Sequence, residues 1–299
     1  MMRSSRILWT ILILAGLLSA CNPTPAAPSE TPTPAVTETS APTPTVTPLP
    51  AAAIVNGEMV LLSDYQSEVQ RIKAAAAETG KSVDDAGLEQ QALEELIGQT
   101  LLAQEAVKNG FEMTDAQLLE RTANLVKERG GEQAFQDWLN RNQYDAESFA
   151  RALRRSVAAA WQMEKIVDSV PVEAEQVNAL QIFVRTKQEA DRALDRAQQS
   201  GTDFASLAKR YDPLTGGALG WFPKGYLLRP EVEEAAFALQ PGETSAIITS
   251  EIGFHILYVV DRVDSRPLDA QARQALQQKA MKTWMDTQRA AAAIEVLVP

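Results

Sequence analysis

The chain has 299 residues, a formal net charge of −11, and a single cysteine and a single histidine. One cysteine excludes an internal disulfide framework and a metal site built from several thiolates, so stability must come from a hydrophobic core. The negative charge disfavours nucleic acid, whose phosphates are also negative. Neither a metal nor a cofactor is expected.

The N-terminus has the pattern of a secretory signal. Arg3 and Arg6 precede an apolar run, Ile7 to Leu18, that is too short to span a bilayer. The run leads into Ser19-Ala20-Cys21, and this junction resembles the lipobox of bacterial lipoproteins. It predicts a lipoprotein signal peptide over 1–20 and a lipid anchor at Cys21, on the extracytoplasmic face of a cell membrane. The alternative is an ordinary signal peptide followed by a chance cysteine.

Residues 21–50 alternate proline and threonine and hold few large apolar side chains. Such a composition cannot form a core. Proline-rich chains favour an extended polyproline helix of about 3.1 Å per residue, so this linker could reach roughly 90 Å. It is predicted to be a spacer between the anchor and a folded body.

Residues 51–170 are predominantly helical by pattern. Two short apolar runs flank an Asn-Gly turn within Ala53–Leu62, which indicates a β-hairpin. Ser63, Thr114 and Asp145 are each placed to cap a following helix, the first two with glutamine three residues later. Apolar side chains recur at helical spacing along this region and predict a core.

The pattern changes after Pro171. Strand patterns at Leu180–Val184, Leu219–Phe222 and Phe254–Val260 alternate with helical patterns and with glycine and proline turn signals. The predicted fold class is therefore α+β.

Six ordered blocks in this second region resemble a parvulin-type (PpiC, rotamase) peptidyl-prolyl isomerase domain. They are Val184-Arg185-Thr186, Asp203 to Ala208, Gly217 to Phe222, Glu233 to Leu239, Pro241-Gly242-Glu243 and Gly253 to Ile256. The preceding region, from Ile54 to Glu58 onward, resembles the N-terminal chaperone half of SurA-type and PrsA-type folding factors. The resemblance implies a helical chaperone domain over 51–170 and a parvulin domain over 171–266, with a small antiparallel sheet flanked by helices.

The resemblance also implies a site in which an apolar cleft grips the proline ring beside a polar network. The cleft residues that correspond are Leu219, Phe222, Leu227 and Val232, and the network residues are Gln181, Asp212 and His255. Three features depart from the family pattern: Gln181 replaces a histidine, Val232 replaces the usual phenylalanine, and the loop from Asp212 to Gly217 is short.

Each network residue has an alternative interpretation. His255 could be a buried structural residue of its strand, and Asp212, which precedes Pro213, could be a turn residue. Gln181 can donate and accept hydrogen bonds but cannot change charge near neutral pH.

The predicted function is that of a membrane-anchored extracytoplasmic folding factor. It would catalyse or assist prolyl cis-trans isomerisation in unfolded or partly folded exported polypeptides. The alternative is an ATP-independent chaperone whose parvulin domain is weakened or inactive. A hydrolase is disfavoured, because one histidine and no free thiol do not supply a nucleophile, a base and an orienting group.

Residues 267–299 predict a helix from Leu268 to about Ala292 and an alternating tail, Ile294–Val298. A lone strand leaves its backbone groups unpaired. We expect the tail to return to the hairpin strand near Ala53, which would make 171–266 an insertion in the chaperone domain. The alternative is a frayed, exposed tail.

Overall fold

A computed structural model describes residues 49–80 and 84–298. The predicted signal peptide, Cys21 and all but the last two residues of the 21–50 linker lie outside the described residues. No helix of the described part is both long and apolar enough to cross a bilayer.

Seven strands and nine helices make up the described part. In chain order they are β1 (Ala51–Val55), β2 (Glu58–Leu61), α1 (Leu62–Glu78), α2 (Asp85–Lys108), α3 (Asp115–Glu128), α4 (Glu132–Arg141), α5 (Ala146–Asp168), β3 (Glu173–Val184), α6 (Lys187–Ala197), α7 (Phe204–Tyr211), β4 (Ala218–Pro223), α8 (Pro230–Ala238), β5 (Ile248–Ser250), β6 (Gly253–Pro267), α9 (Ala270–Ala291) and β7 (Ile294–Val296). We call residues 51–170 the helical half and residues 171–266 the mixed half.

The helical half is built around a small sheet. Asn56 and Gly57 both have positive φ, as a two-residue hairpin turn requires, and they join β1 to β2. Val55, Val60, Leu96 and other buried residues of β1, β2 and α2 form its core. Helices α1 and α2 therefore pack against the hairpin, while α3, α4 and the start of α5 form a second cluster around Phe135 and Phe149.

Two of the three predicted helix caps are confirmed. Thr114 and Asp145 each accept a hydrogen bond from a backbone N–H at the start of α3 and α5. The cap predicted at Ser63 is wrong, because α1 already begins at Leu62, directly after β2. The Leu62 N–H donates instead to the carbonyl of Pro50 at 2.9 Å, so the helix start is satisfied by backbone.

The mixed half contains a four-stranded antiparallel sheet in the order β4-β3-β6-β5. Helices α6 and α7 cover one face, where Ile182 and Ile256 are fully buried. Helix α8 covers the other face, where Val177 and Leu257 are fully buried. The predicted α+β class with small antiparallel sheets is thus confirmed.

The C-terminal segment packs against the helical half. Met281 and Trp284 of α9 contact a buried cluster that includes Leu102 and Ile166 of α2 and α5. β7 then pairs antiparallel with β1, giving the sheet order β2-β1-β7. The strand β6 ends at Pro267, shortly before α9 begins. Pro267 is paired with Glu173, the first residue of β3.

Candidate active site

Gln181 and His255 lie on the two central strands of the mixed sheet and project from the same face. Phe183 is the direct cross-strand partner of His255, and Gln181 is two residues before it on β3. The Gln181 Oε1 atom is 3.2 Å from His255 Nδ1. An amide oxygen can only accept, so Nδ1–H donates and Nε2 is left as an acceptor.

The second ring nitrogen of His255 is also satisfied. The Ser250 hydroxyl lies 2.8 Å from Nε2, because the short hairpin from β5 to β6 brings these two residues together. The Phe183 ring packs against the imidazole, with centroids 5.0 Å apart. The imidazole is therefore fixed by Gln181, Ser250 and Phe183 together.

Burial lowers the pKa of His255, and the nearby Arg229 charge acts in the same direction while Glu231 opposes it. Desolvation penalises the charged imidazolium more than the neutral ring. His255 is thus held neutral at neutral pH. A neutral histidine agrees with its two hydrogen bonds, since one nitrogen donates to Gln181 and the other accepts from Ser250.

Asp212 lies at the C-terminal end of α7, where its carboxylate stabilises its own loop. It accepts hydrogen bonds from the backbone N–H of Leu214 at 3.0 Å and from the N–H and hydroxyl of Thr215. The Thr215 bonds, the hydroxyl first, lower the pKa of Asp212. Within residues 49–80 and 84–298, no hydrogen bond joins Asp212 to Gln181 or His255.

The loop that follows Asp212 closes tightly onto β3. The Gln181 N–H donates to the carbonyl of Gly217 at 2.7 Å. Gly217 has φ +73°, and a methyl group there would lie 2.1 Å from the Gln181 carbonyl oxygen. Only glycine allows this approach, so the short loop helps to fix the position of Gln181.

The four predicted cleft residues lie in one apolar cluster on the face of the sheet covered by α8. Phe222 is 0% and Val232 is 3% exposed, so these two form the floor of the cluster. Leu219 and Leu227 are only partly buried and can still be contacted from solvent. The structure therefore brings all four together, with Leu219 and Leu227 as the accessible pair.

The loop that carries Leu227 is anchored by a carboxylate on α8. Glu233 accepts from the N–H of Gly225 at 2.7 Å and from the N–H of Leu227 at 2.9 Å. Hydrogen bonds to an ionised acceptor are stronger than neutral ones. Glu233 is thus a positioning residue for the accessible part of the cluster.

The sequence did not indicate Ser250, Phe183 or Glu233. Ser250 could have been found only from the hairpin between β5 and β6, and β5 has just three residues. Glu233 lies within a block that matches the parvulin family, but the resemblance implies no role for it. Its position three residues after Pro230, in the first turn of α8, is the signal that could have indicated it.

This arrangement suits a reaction that needs no covalent catalyst. Prolyl isomerisation requires rotation about an amide bond with a barrier near 18–20 kcal/mol. An apolar surface beside oriented hydrogen-bonding groups can favour the twisted amide over the planar one, and each 1.36 kcal/mol of preference gives a tenfold rate increase. In the described part of the chain, no cluster of three or more His, Cys, Asp or Glu side chains could hold a metal.

Comparison with known proteins matches both halves. Residues 181–261 match the PPIC-type PPIase domain, and residues 36–164 match the SurA-like N-terminal domain. The foldase protein PrsA of Caldanaerobacter subterraneus subsp. tengcongensis is 30% identical over 230 residues, covering 69% of this chain and 71% of the relative. The chain belongs to the PrsA foldase family. The parvulin and SurA-like resemblances seen in the sequence are confirmed.

Chaperones of the SurA type are also similar to this chain. The chaperone SurA of Photobacterium profundum is 29% identical over 248 residues, covering 70% of this chain and 56% of that protein. The chain thus spans little more than half the length of the SurA chaperone. The crystal structure of the peptidylprolyl isomerase PrsA from Bacillus cereus aligns with a TM-score of 0.45 and 21% identity, over 70% of this chain and 86% of that one.

Proposed function

We propose that this PrsA-family chain is an extracytoplasmic folding factor that catalyses prolyl cis-trans isomerisation in unfolded or partly folded exported polypeptides. The observation that carries the proposal is the placement of the polar and apolar groups. The hydrogen-bonded chain from Gln181 through His255 to Ser250 lies on the same sheet face as the cluster of Leu219 and Leu227. A bound proline ring would contact the leucines while its flanking amide approaches the polar chain.

The catalytic roles are proposed residue by residue. Leu219 and Leu227 would contact the ring, above the floor made by Phe222 and Val232. Neutral His255, oriented by Gln181, would be the fixed polar group beside the amide that flanks the proline ring. Asp212 would act through its loop, by keeping the turn against β3, and not by contact with the substrate.

The test of the isomerase proposal is a protease-coupled assay on a proline peptide with matched leucine variants. Leu227→Ala removes an accessible apolar contact in the cluster, so kcat/KM should fall roughly tenfold. The neighbouring Leu228 is 91% exposed and serves as the control. Leu228→Ala should change kcat/KM less than about twofold. Equal losses in both variants would show that the ring binds elsewhere.

A second candidate function is that of an ATP-independent chaperone whose isomerase site is weakened. The specific observation is Gln181 at the position where the family has a histidine, together with the smaller Val232 in the floor. If the wild-type protein suppresses aggregation of an unfolded client but does not accelerate the proline assay, this second function replaces the first.

The proposal assigns the two activities to different parts of the chain. We assign chaperone activity to 51–170 with the returning segment 267–299, and isomerase activity to 171–266. The supporting observations are the packing of α9 on α2 and α5 and the pairing of β7 with β1. Residues 21–50 would act as the spacer that holds this body away from the membrane.

Attachment of the chain to the membrane is proposed to occur through lipid on Cys21, after removal of 1–20. The Ser19-Ala20-Cys21 junction supports it. Two acyl anchoring signals bind a bilayer far more strongly than one. Cys21→Ser should release the protein into the soluble fraction or block processing of the precursor, as measured by membrane fractionation and immunoblotting. Normal processing with unchanged membrane association would mean that another segment holds the chain.

A further inference from the structure

The helical half contains a cleft of about 800 Å³, away from the isomerase site. Its walls come from β2, the C-terminal end of α2, one face of α5 and the C-terminal end of α9. Apolar side chains and thioethers make up much of the lining, including Met59, Val107, Phe111 and Met113. Met59 and Val107 are substantially exposed even though both are apolar.

The residues that line this cleft include more cationic than acidic side chains, although the chain as a whole is negative. Arg151, Arg154 and Arg155 project into it from one face of α5, with Lys108 beside them. Only two acidic residues line it, in a chain whose net charge is −11. One of these, Asp64, is buried and already paired with Arg151 at 3.0 Å and with Arg155 at 3.8 Å. The lining side chains thus comprise four cations and two carboxylates, and outside the lining Glu105 pairs with Lys108 and Glu147 with Arg151.

Arg154 is the arginine best placed to bind an incoming anion. Its guanidinium donates to the carbonyl of Met113 and to Asp115, whose carboxylate is almost fully exposed. An exposed ion pair contributes little stability, so Asp115 can be displaced at small cost. A guanidinium has five N–H donors, so Arg154 can also bind a carboxylate while keeping its bond to Met113.

The shape of the cleft favours a polypeptide as its occupant. β2 is an edge strand in the order β2-β1-β7, and three of its residues line the cleft. Edge strands offer backbone groups to an extended segment. Methionine side chains such as Met59 and Met113 adapt to differently shaped apolar partners. These features suit a client whose sequence varies.

We infer that this cleft binds extended polypeptide segments in which an acidic side chain is flanked by apolar residues, with Arg154 binding the carboxylate. The inference rests on the proposed function as a folding factor and adds a preference in client sequence. Arg151 and Arg155 would remain paired with Asp64, which leaves Arg154 as the arginine that binds the client carboxylate.

The test is fluorescence anisotropy on the full chain with three labelled, C-terminally amidated nonapeptides. They share one leucine- and phenylalanine-rich sequence and differ only in a central Glu, Gln or Lys. The Glu peptide should bind roughly fivefold to tenfold more tightly than the Gln peptide, and the Lys peptide most weakly. Salt at 0.5 M should reduce the preference, since ionic screening weakens accessible charge pairs.

Two pairs of variants locate the preference. Arg154→Gln should reduce the Glu-to-Gln ratio below about twofold without weakening the Gln peptide, whereas Arg192→Gln, at an exposed position on α6, should leave the ratio unchanged. Val107→Glu, at a site 63% exposed, should weaken the Glu peptide most. Leu119→Glu, at a site 70% exposed on α3 and outside the cleft, is its control.

Equal affinity of the wild-type protein for the Glu and Gln peptides would overturn the inference, as would no binding of either. A preference that survives both Arg154→Gln and Val107→Glu would also overturn it, because the anion would then bind elsewhere. Proline-isomerase and aggregation-suppression assays on the same sample separate these results from failure of the proposed function. Activity in either assay, with no preference among peptides, rejects the cleft assignment alone.

Discussion

At the scale of the residue, His255 combines burial with two hydrogen bonds that suit its neutral form. Its pKa is lowered chiefly by desolvation. The unfolded chain, with an ordinary histidine pKa of about 6.5, then binds more protons than the folded chain between the two pKa values. Folding stability from this group is therefore fully present above pH 6.5. It is lost as the pH falls from that value toward the folded pKa.

The lowered pKa of His255 predicts how its own titration and the free energy of unfolding depend on pH. His255 is the only histidine in the chain, so its proton NMR signal is unambiguous. We expect it to titrate below pH 6.5 in the folded protein and near that value in urea. The free energy of unfolding should drop more between pH 7.5 and 5.5 in the wild type than in His255→Gln. A folded titration midpoint at or above 6.5 would contradict the prediction.

How much of the site could be predicted depended on whether its contacts follow from sequence spacing. The pairing of Gln181 with His255 could be predicted, because the resemblance to the parvulin family assigns both residues to one polar network, and the structure joins them by a 3.2 Å hydrogen bond. Asp212 remained ambiguous because a carboxylate before Pro213 suits either a network or a turn. Its bonds to Leu214 and Thr215 are those of a turn. Ser250 could not be predicted, since its contact depends on a hairpin too short to give a strand pattern.

At the scale of the element, the loop from Asp212 to Gly217 is defined by two adjacent glycines with different surroundings. Gly216 has φ +66° and Gly217 has φ +73°. A methyl group on Gly216 would meet no heavy atom within 4 Å, whereas one on Gly217 would meet the Gln181 carbonyl oxygen at 2.1 Å. The two positions therefore share backbone strain but differ in steric clash.

Substitution of each glycine by alanine should separate these two effects. Gly216→Ala should cost about 1–2 kcal/mol, from the left-handed backbone alone. Gly217→Ala should cost roughly 3 kcal/mol, because the loop must also move off β3 and lose the bond from the Gln181 N–H. Urea unfolding of both variants measures the difference, and isomerase activity should fall more in Gly217→Ala. Similar losses would mean that the loop can move without disturbing β3.

Element boundaries could be predicted where a side chain forms the cap and not where backbone does. Thr114 and Asp145 mark true helix starts because their side chains bind the first N–H groups. The cap predicted at Ser63 is wrong because α1 follows β2 directly. The N–H of Leu62, the first residue of α1, donates to the carbonyl of Pro50. β3 begins at Glu173, seven residues before the predicted strand, since polar residues such as Gln176 interrupt the apolar pattern.

At the scale of the whole molecule, α9 contacts both halves. Along its length it packs through Met281 and Trp284 on the helical half. Nearer its start, the Lys279 ammonium donates to the carbonyl of Gly225 at 3.3 Å, in the loop that carries Leu227. Helix α9 thus connects the core of the helical half to the loop that carries Leu227. The sequence predicted the return of the tail, because an alternating strand needs a partner, but it gave no sign of this second contact.

Truncation after Leu268 tests how much α9 and β7 stabilise the helical half. It would expose Leu102, Ile166 and the free edge of β1, while β6 keeps its pairing with β3. We expect hydrogen exchange in α2 and α5 to accelerate strongly, with β3 and β6 still protected, because exchange follows local stability. Trp284→Ala should accelerate the same helices to a lesser degree, and Thr283→Ala, at an exposed neighbouring site, should not. If α2 exchanged as slowly in the truncated chain as in the full chain, the returning segment would lie on the helical half without stabilising it, and the assignment of 267–299 to the chaperone body would fail.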